Sequence, residues 1–391
     1  MGWHLACTRC GRAVPFGPRV TGCAACAAGG VVGLLECVRP DGPAPARATT
    51  AGRSMARYRH LLPVPPALDW VSLGEGDTAL IRSRHIGPRL GLPDLHFKLE
   101  QQNPTLSFKD RYVALTVNLA RYFGFRRVVV SSTGNLGVSV AAYAAAAGMA
   151  CRFVAPRDVP AGILAEAALH GAEVEIVEKE RRFARFEALA REPQWFPVGL
   201  FMNRAVQNPF GIEAYRTFAY EMIEALGRPP DAVLFPCARG NGLYGAWKGF
   251  RDAAEWGWAD RTPQMVGCQP TVANSMEASL AAGSPTAIAL PPADSVARSI
   301  CETVTGDKAL GAIRESGGTA ASAGDDRIIA AVLALGREGI NAEAGAATTV
   351  ACLETLVRDG RIRPGTVVVC VLTGAGHRWP EQAAWATAAP G

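Results

Sequence analysis

Nothing in these 391 residues approaches a membrane span. The longest apolar stretch, Val138 to Ala150, is interrupted by Tyr143 and falls short of the roughly 18 apolar residues a spanning helix requires, so it reads as a buried helix. Charge is also sparse. Only 19% of residues are charged, and the formal net charge of +5 is spread along the chain. There is no dense Lys/Arg run and no interleaving of basic and aromatic residues, which argues against a nucleic-acid surface. The first residues, Met1 to Cys7, lack the basic region and apolar core of a secretory leader, which sets the expectation of a cytoplasmic protein. An apolar share of 49% excludes a disordered chain. Because single cores stop growing at roughly 250 to 300 residues, more than one lobe is expected.

Cysteine is the residue present in unusual number. Of eleven, five fall before residue 40 and the rest are scattered singly among apolar runs. That distribution favours a metal near the N-terminus and reduced thiols elsewhere over a disulfide framework. Cys7-Thr8-Arg9-Cys10 and Cys23-Ala24-Ala25-Cys26 form two C-x-x-C pairs, each able to present two thiolates from one tight turn. Two facing knuckles of this kind supply the four-sulfur tetrahedron that zinc prefers. An empty or oxidised cluster is the competing reading. Cys37 lies outside the pattern and reads as a buried filler. Residues 1–45 are therefore expected to form a zinc-ribbon-like segment, and 46–70, continuing a run rich in Pro and Gly, a linker.

From Leu95 onward apolar, β-rich runs alternate with helical patterns, the signature of parallel sheets flanked by helices. Strands are expected at Leu95 to Leu99, Arg127 to Ser132, Cys151 to Ala155, Val174 to Val177, Ala232 to Pro236, Met265 to Gln269 and Thr366 to Thr373. Helices are expected at Asp110 to Phe123, Leu136 to Gly148, Ile212 to Leu226, Leu243 to Phe250 and Asp326 to Glu338. In sheets of this kind ligands bind beyond the carboxyl ends of strands, so the loops there are the place to search.

Three such loops stand out. Ser131-Ser132-Thr133-Gly134-Asn135-Leu136-Gly137 follows a strand and opens a helix, a combination of hydroxyls and free N–H groups suited to an anion. Cys237-Ala238-Arg239-Gly240-Asn241-Gly242-Leu243 has the same setting, with glycines that let the backbone approach an anion closely. Gly240 to Gly245 formally matches the dinucleotide fingerprint, which raises an NAD-dependent oxidoreductase as an alternative. The acidic residue that this reading needs at the end of the next strand is missing, since that strand ends Gly267-Cys268-Gln269. The third loop, Leu372-Thr373-Gly374-Ala375-Gly376-His377, places a hydroxyl at a strand end.

Asn103-Pro104-Thr105-Leu106-Ser107-Phe108-Lys109-Asp110-Arg111 puts a lysine at the start of a helix. The positive end of the helix dipole disfavours its charged form and favours the neutral amine that imine chemistry requires. On spacing alone the default remains a solvated lysine in a helix cap.

Taken together, these motifs resemble the threonine-synthase branch of the fold-type-II pyridoxal-phosphate (PLP) enzymes. The family's Asn-Pro-Thr-Gly-Ser-Phe-Lys-Asp-Arg is matched at Asn103 to Arg111, with Leu106 in place of its Gly. The likeness extends over Ser131 to Ser139, the glycine loop before Trp247-Lys248-Gly249-Phe250, Arg314 to Gly318, Glu338-Gly339-Ile340 and Leu372-Thr373-Gly374. It covers the chain from about Ser72 onward. It implies two lobes, one of 71–120 with 220–391 and a smaller one of 121–219, and a homodimer acting on a small amino acid. By this resemblance Lys109 carries the cofactor, Phe108 lies beside it, and Asn135 bonds its ring hydroxyl. Ala238, Arg239, Gly240, Asn241, Gly242 and Leu243 cradle its phosphate, Thr373 faces its ring nitrogen, and Ser132 and Thr133 take the substrate carboxylate. A neutral hydroxyl at the ring nitrogen makes a milder electron sink than a carboxylate, which suits elimination and replacement chemistry.

The chain departs from threonine synthase elsewhere. Arginine enters the phosphate loop at Arg239, and the family's Ala-Ile-Arg-Ile-Gly-Asn-Pro appears around Arg298-Ser299-Ile300-Cys301-Glu302-Thr303-Val304. Arg239 and Arg298 are candidates for binding a substrate phosphate or sulfonate. Conversion of O-phosphohomoserine and water to threonine and phosphate is the leading expectation. A β-replacement on O-phosphoserine, as in cysteate synthases, is its rival. The reading from a third class is a zinc-ribbon binding module attached to an inactive body.

Overall fold

The computed structural model describes residues 2–47, 53–201 and 206–388. By mutual contacts the chain divides into two compact units, each with its own sheet. The first comprises Met1–Asp77, Asn103–Thr105 and Lys109–Ala214, and the second Thr78–Gln102, Leu106–Phe108 and Tyr215–Gly391.

In the first unit, strands Glu173–Val177, Ala150–Pro156, Arg127–Ser131 and Trp195–Val198 lie side by side in that order, all parallel. Val128, Val129 and Val130 are fully buried, as expected where helices cover both faces of a parallel sheet. Helix Lys109–Tyr122 is buried along nearly its whole length, from Asp110 to Ala120. Helix Asn135–Ala146, rich in Ala and Val, packs on it and realises the buried helix expected in the apolar stretch. The N-terminal segment forms a small antiparallel sheet in the order Ala13–Pro15, His4–Cys7, Leu35–Val38. It is held within the same unit: the rings of Phe16, Phe123 and Phe210 pack together at 5.4 to 5.7 Å, and the buried Cys37 Sγ donates to the Pro209 carbonyl at 3.7 Å.

The second unit is built on six strands in the order Thr319–Ala323, Gln264–Pro270, Ala232–Pro236, Val368–Leu372, Leu95–Leu99, Leu80–Arg82. Only the last joins antiparallel. Val368–Leu372 and Ala232–Pro236 are buried at every position, the near-continuous apolar pattern of central parallel strands.

The structure refines the sequence reading at three places. Residues 48–52 of the expected linker lie outside the described residues, and Met55–Leu61 within it forms a 3-10 helix that buries Met55, Tyr58 and Leu61. The helix expected over Ile212 to Leu226 divides into Gly211–Ala214 and Thr217–Leu226, and the boundary between the units falls in the intervening turn. Helix Lys109–Tyr122, expected in the large lobe, packs within the first unit. Among the described residues no helix is long and apolar enough to cross a membrane.

Candidate active site

Lys109 opens its helix in the first unit, and three residues ahead of it Leu106, counted with the second unit, adopts a left-handed conformation, φ 58°. Asp110, the residue after Lys109, is fully buried. Its Oδ2 accepts from the Thr105 N–H at 2.6 Å, and its Oδ1 accepts from the hydroxyls of Thr105 at 2.5 Å and Ser139 at 2.6 Å. Burial pushes this carboxyl up to about 6, overriding the opposing effect of those hydrogen bonds. Ser139 belongs to helix Asn135–Ala146, so one carboxylate joins the start of the lysine helix to the helix that begins at the first loop.

That loop follows strand Arg127–Ser131 as expected. Ser132 is buried, and its hydroxyl accepts from the Gly134 N–H at 3.1 Å, a turn that shapes the loop locally. Thr133 is exposed and Asn135 half-buried at the helix start.

In the second unit, the loop after strand Ala232–Pro236 leads into the fifteen-residue helix Asn241–Glu255. Gly240 sits at φ 75° ahead of it, and a Cβ there would stand 2.4 Å from Ala309 Cβ, so glycine is required both by conformation and by space. The Arg239 carbonyl accepts from the Gly306 N–H at 3.1 Å, which brings Thr305 beside the loop. Two buried polar atoms here, Arg239 Nε and Thr305 Oγ1, have no hydrogen-bond partner among the described residues. Buried donors of this kind are rarely left unsatisfied. Together with the open N–H groups of a long helix they fit an anion such as the phosphate of PLP.

Phe108 and Thr373 belong to the same unit as that loop. Phe108 N–H donates to the Thr373 carbonyl at 2.9 Å, Ala375 N–H donates to the Leu106 carbonyl at 3.0 Å, and Ser107 bridges Gly374. The Phe108 ring stacks on Tyr215 with centroids 5.1 Å apart and lies 3.0 Å from where a Cβ on Gly242 would stand. The second unit thus gathers Phe108, Thr373 and the Ala238 to Leu243 loop. Arg298 is exposed in a 3-10 turn, whereas Arg239, only 10% exposed, pairs with Glu302 at 3.3 Å. Sequence reasoning quoted Glu302 only within the segment Arg298 to Val304, not as a partner of Arg239, and did not single out Thr305, one residue beyond that segment.

The four thiols of Cys7, Cys10, Cys23 and Cys26 converge, all within 4.8 Å of one another. Cys7 and Cys26 sulfurs are 3.7 Å apart and those of Cys10 and Cys23 3.8 Å. A tetrahedron of zinc–sulfur bonds of about 2.3 Å has edges of about 3.8 Å, so two of the sulfur pairs already stand at the zinc spacing and the four-thiol donor set suits zinc.

A sheet of this order, a glycine cradle ahead of a long helix and a lysine heading a buried one define a class, and comparison with known proteins gives the same answer. The family model described as "Pyridoxal-phosphate dependent enzyme" matches residues 71–374. The chain belongs to that family, with the fold-type-II architecture, which decides against the dinucleotide reading of Gly240 to Gly245. Within it, the chain is 35% identical over 334 residues to a threonine synthase of Mycobacterium tuberculosis, covering 84% of this chain and 89% of that one. It is 34% identical over 339 residues to a threonine synthase of Methanocaldococcus jannaschii, covering 85% and 83%. Among solved structures, threonine deaminase isoform 2 from Solanum lycopersicum shares the fold at a TM-score of 0.70 and 21% identity, covering 90% of this chain and 98% of that one.

Proposed function

We propose that this enzyme performs a threonine-synthase-like reaction, eliminating the activated oxygen of O-phosphohomoserine and adding water to give threonine and phosphate. The observation that carries this reading is the identity to threonine synthases along more than four fifths of the chain. Bound PLP supplies the electron sink that makes the substrate's α proton acidic. Lys109 would hold the cofactor and then, as a neutral amine, move the proton at the substrate's α carbon. Ser132 and Thr133, with the N–H groups that open helix Asn135–Ala146, would take the substrate carboxylate, and Asn135 the cofactor's ring hydroxyl. Ala238, Arg239, Gly240, Asn241, Gly242 and Leu243 would bind the phosphate, with Phe108 beside the ring and the Thr373 hydroxyl at its nitrogen. The four thiols would hold a structural zinc ion. The enzyme would work as a cytoplasmic homodimer.

Arg239, beside the cradle and paired with Glu302 at 3.3 Å, leaves a second reading, β-replacement on O-phosphoserine. One experiment separates the two. The purified protein is titrated with O-phosphohomoserine and O-phosphoserine while its visible cofactor band is followed, and the products are analysed. Borohydride should trap the cofactor on Lys109, and Lys109→Ala should abolish both the band and turnover. A protein that stays colourless after incubation with PLP would remove the proposal. Metal analysis of the same preparation should find about one zinc per chain, the stoichiometry of a four-thiolate site.

A further inference from the structure

We propose that Asp110 is a positioning residue for the cofactor lysine: its carboxylate holds the turn ahead of Lys109 in a conformation that Leu106 resists. The inference rests on Lys109 carrying PLP and adds what keeps that lysine in place.

Three observations support it. First, Leu106 stands at φ 58°, where an L-residue with a full side chain is strained by roughly 1–2 kcal/mol. Such a conformation persists only where the surroundings over-determine it. Second, backbone bonds tie Leu106 and Phe108 to Ala375 and Thr373, and Asp110 fixes the residue that leads into the turn. Both carboxylate oxygens are engaged, the donors are the N–H and hydroxyl of Thr105, directly before Leu106, and the hydroxyl of Ser139. The same turn is tied from its other side, where Asn103 Oδ1 accepts from the Gly76 N–H at 2.9 Å. Third, the anchor lies deep in the first unit. Asp110, Ser139, Glu75 and Tyr143 are all fully buried. Glu75 itself accepts from Trp70 Nε1, the Ser72 hydroxyl, the Leu73 N–H and the Tyr143 hydroxyl, so the polar groups around Asp110 are satisfied and fixed. Lys109 is the residue directly before this anchor, and Ser139 is on the helix whose first turn carries Asn135. The carboxylate therefore sets the Lys109 backbone against that helix.

The test compares the dissociation constant for PLP, followed by tryptophan fluorescence and by the visible band, in the wild type, Asp110→Ala, Leu106→Gly and Asp110→Ala with Leu106→Gly. Loss of the buried acceptor should weaken PLP about tenfold to hundredfold. Leu106→Gly alone should leave affinity within about threefold. Added to Asp110→Ala it should recover about a tenfold share, because glycine no longer resists the turn. The melting temperature reads overall stability separately, and under this proposal Leu106→Gly restores affinity to a greater degree than it restores melting. Wild-type affinity in Asp110→Ala overturns the proposal, and so does a loss that Leu106→Gly leaves untouched. If Asp110→Ala does not fold, Ser139→Ala decides: removing one of the three bonds should weaken PLP severalfold, and unchanged affinity rejects the idea. A wild-type protein that fails to take up PLP at all refutes the underlying assignment of Lys109 instead, an outcome distinct from these.

Discussion

Asp110 in the first unit and Glu338 in the second each gather backbone N–H and hydroxyl donors around one carboxylate to pin a turn beside a helix start. Glu338 accepts from the Ser83 hydroxyl at 2.5 Å and from the N–H groups of Arg84, His85 and Ile86 at 2.8 to 3.0 Å, where helix Ile86–Arg89 begins. Yet the two groups titrate in opposite directions. Burial drives Asp110 up from its ordinary 3.8 to about 6. Burial also raises Glu338, but the four hydrogen bonds together prevail, lowering it from 4.5 to about 2. The difference teaches that hydrogen-bond number does not set the sign. Desolvation does, once the carboxylate is removed completely from water.

The sharpest way to break this comparison is to remove each carboxylate. Asp110→Ala leaves the Thr105 N–H, the Thr105 hydroxyl and the Ser139 hydroxyl buried without an acceptor and should cost about 3 kcal/mol in denaturant unfolding. Glu338→Gln keeps an acceptor whose donors can turn to water and should cost about 1–2 kcal/mol. Equal losses would contradict the claim that burial distinguishes the two.

Their pH dependence should then run in opposite senses. Asp110 has a raised pKa, so the proton-linked part of its contribution is complete below 3.8 and is lost as pH rises through about 6, while the hydrogen bonds it accepts remain. At about 1.4 kcal/mol per unit the loss is of order 3 kcal/mol. Glu338 has a depressed pKa, so its contribution is present above 4.5 and is lost as pH falls through about 2. Partial exposure reduces that loss to about 1–2 kcal/mol. Stability relative to Asp110→Asn should therefore fall between pH 4 and 6, and stability relative to Glu338→Gln should rise between pH 2 and 4.5. Two slopes of the same sign would sink the account.

The same contrast explains what was legible in the sequence. The four thiols converge as the C-x-x-C spacing implied, because two short knuckles fix most of that geometry locally. Strands Leu95–Leu99 and Ala232–Pro236 fall where their apolar, β-rich runs put them. Strand Thr319–Ala323, a run of Thr, Ser and Ala, carried no such signal, since its burial comes from the neighbours that cover it. Trp195–Val198, interrupted by Pro197, was missed for a related reason: a short strand with a proline reads as a loop until its parallel partner is known. Lys109 and Asp110 were visible as a motif, but the link from Asp110 to Ser139 spans 29 residues and the one from Glu338 to Ser83 spans 255. Such nonlocal polar clamps have no period or spacing to betray them. The same holds for Thr305 and Glu302 beside the Arg239 loop.

The smallest expected effect lies at Leu106 and tests whether the Asp110 clamp is working against strain. Relief of a left-handed leucine should gain about 1–2 kcal/mol. Glycine gives back roughly 0.5–1 kcal/mol through the greater freedom of the unfolded chain, and the half-buried leucine side chain surrenders some packing. The balance should leave Leu106→Gly within about 1 kcal/mol of the wild type and on the stable side, measured as a shift in the unfolding midpoint at constant slope. A clear destabilisation would mean that the leucine side chain contributes more by packing than its backbone costs. The turn ahead of Lys109 would then be held by apolar contact as well as by Asp110, and Glu338, whose clamp contains no left-handed residue, would be the purer example of a carboxylate pinning a turn.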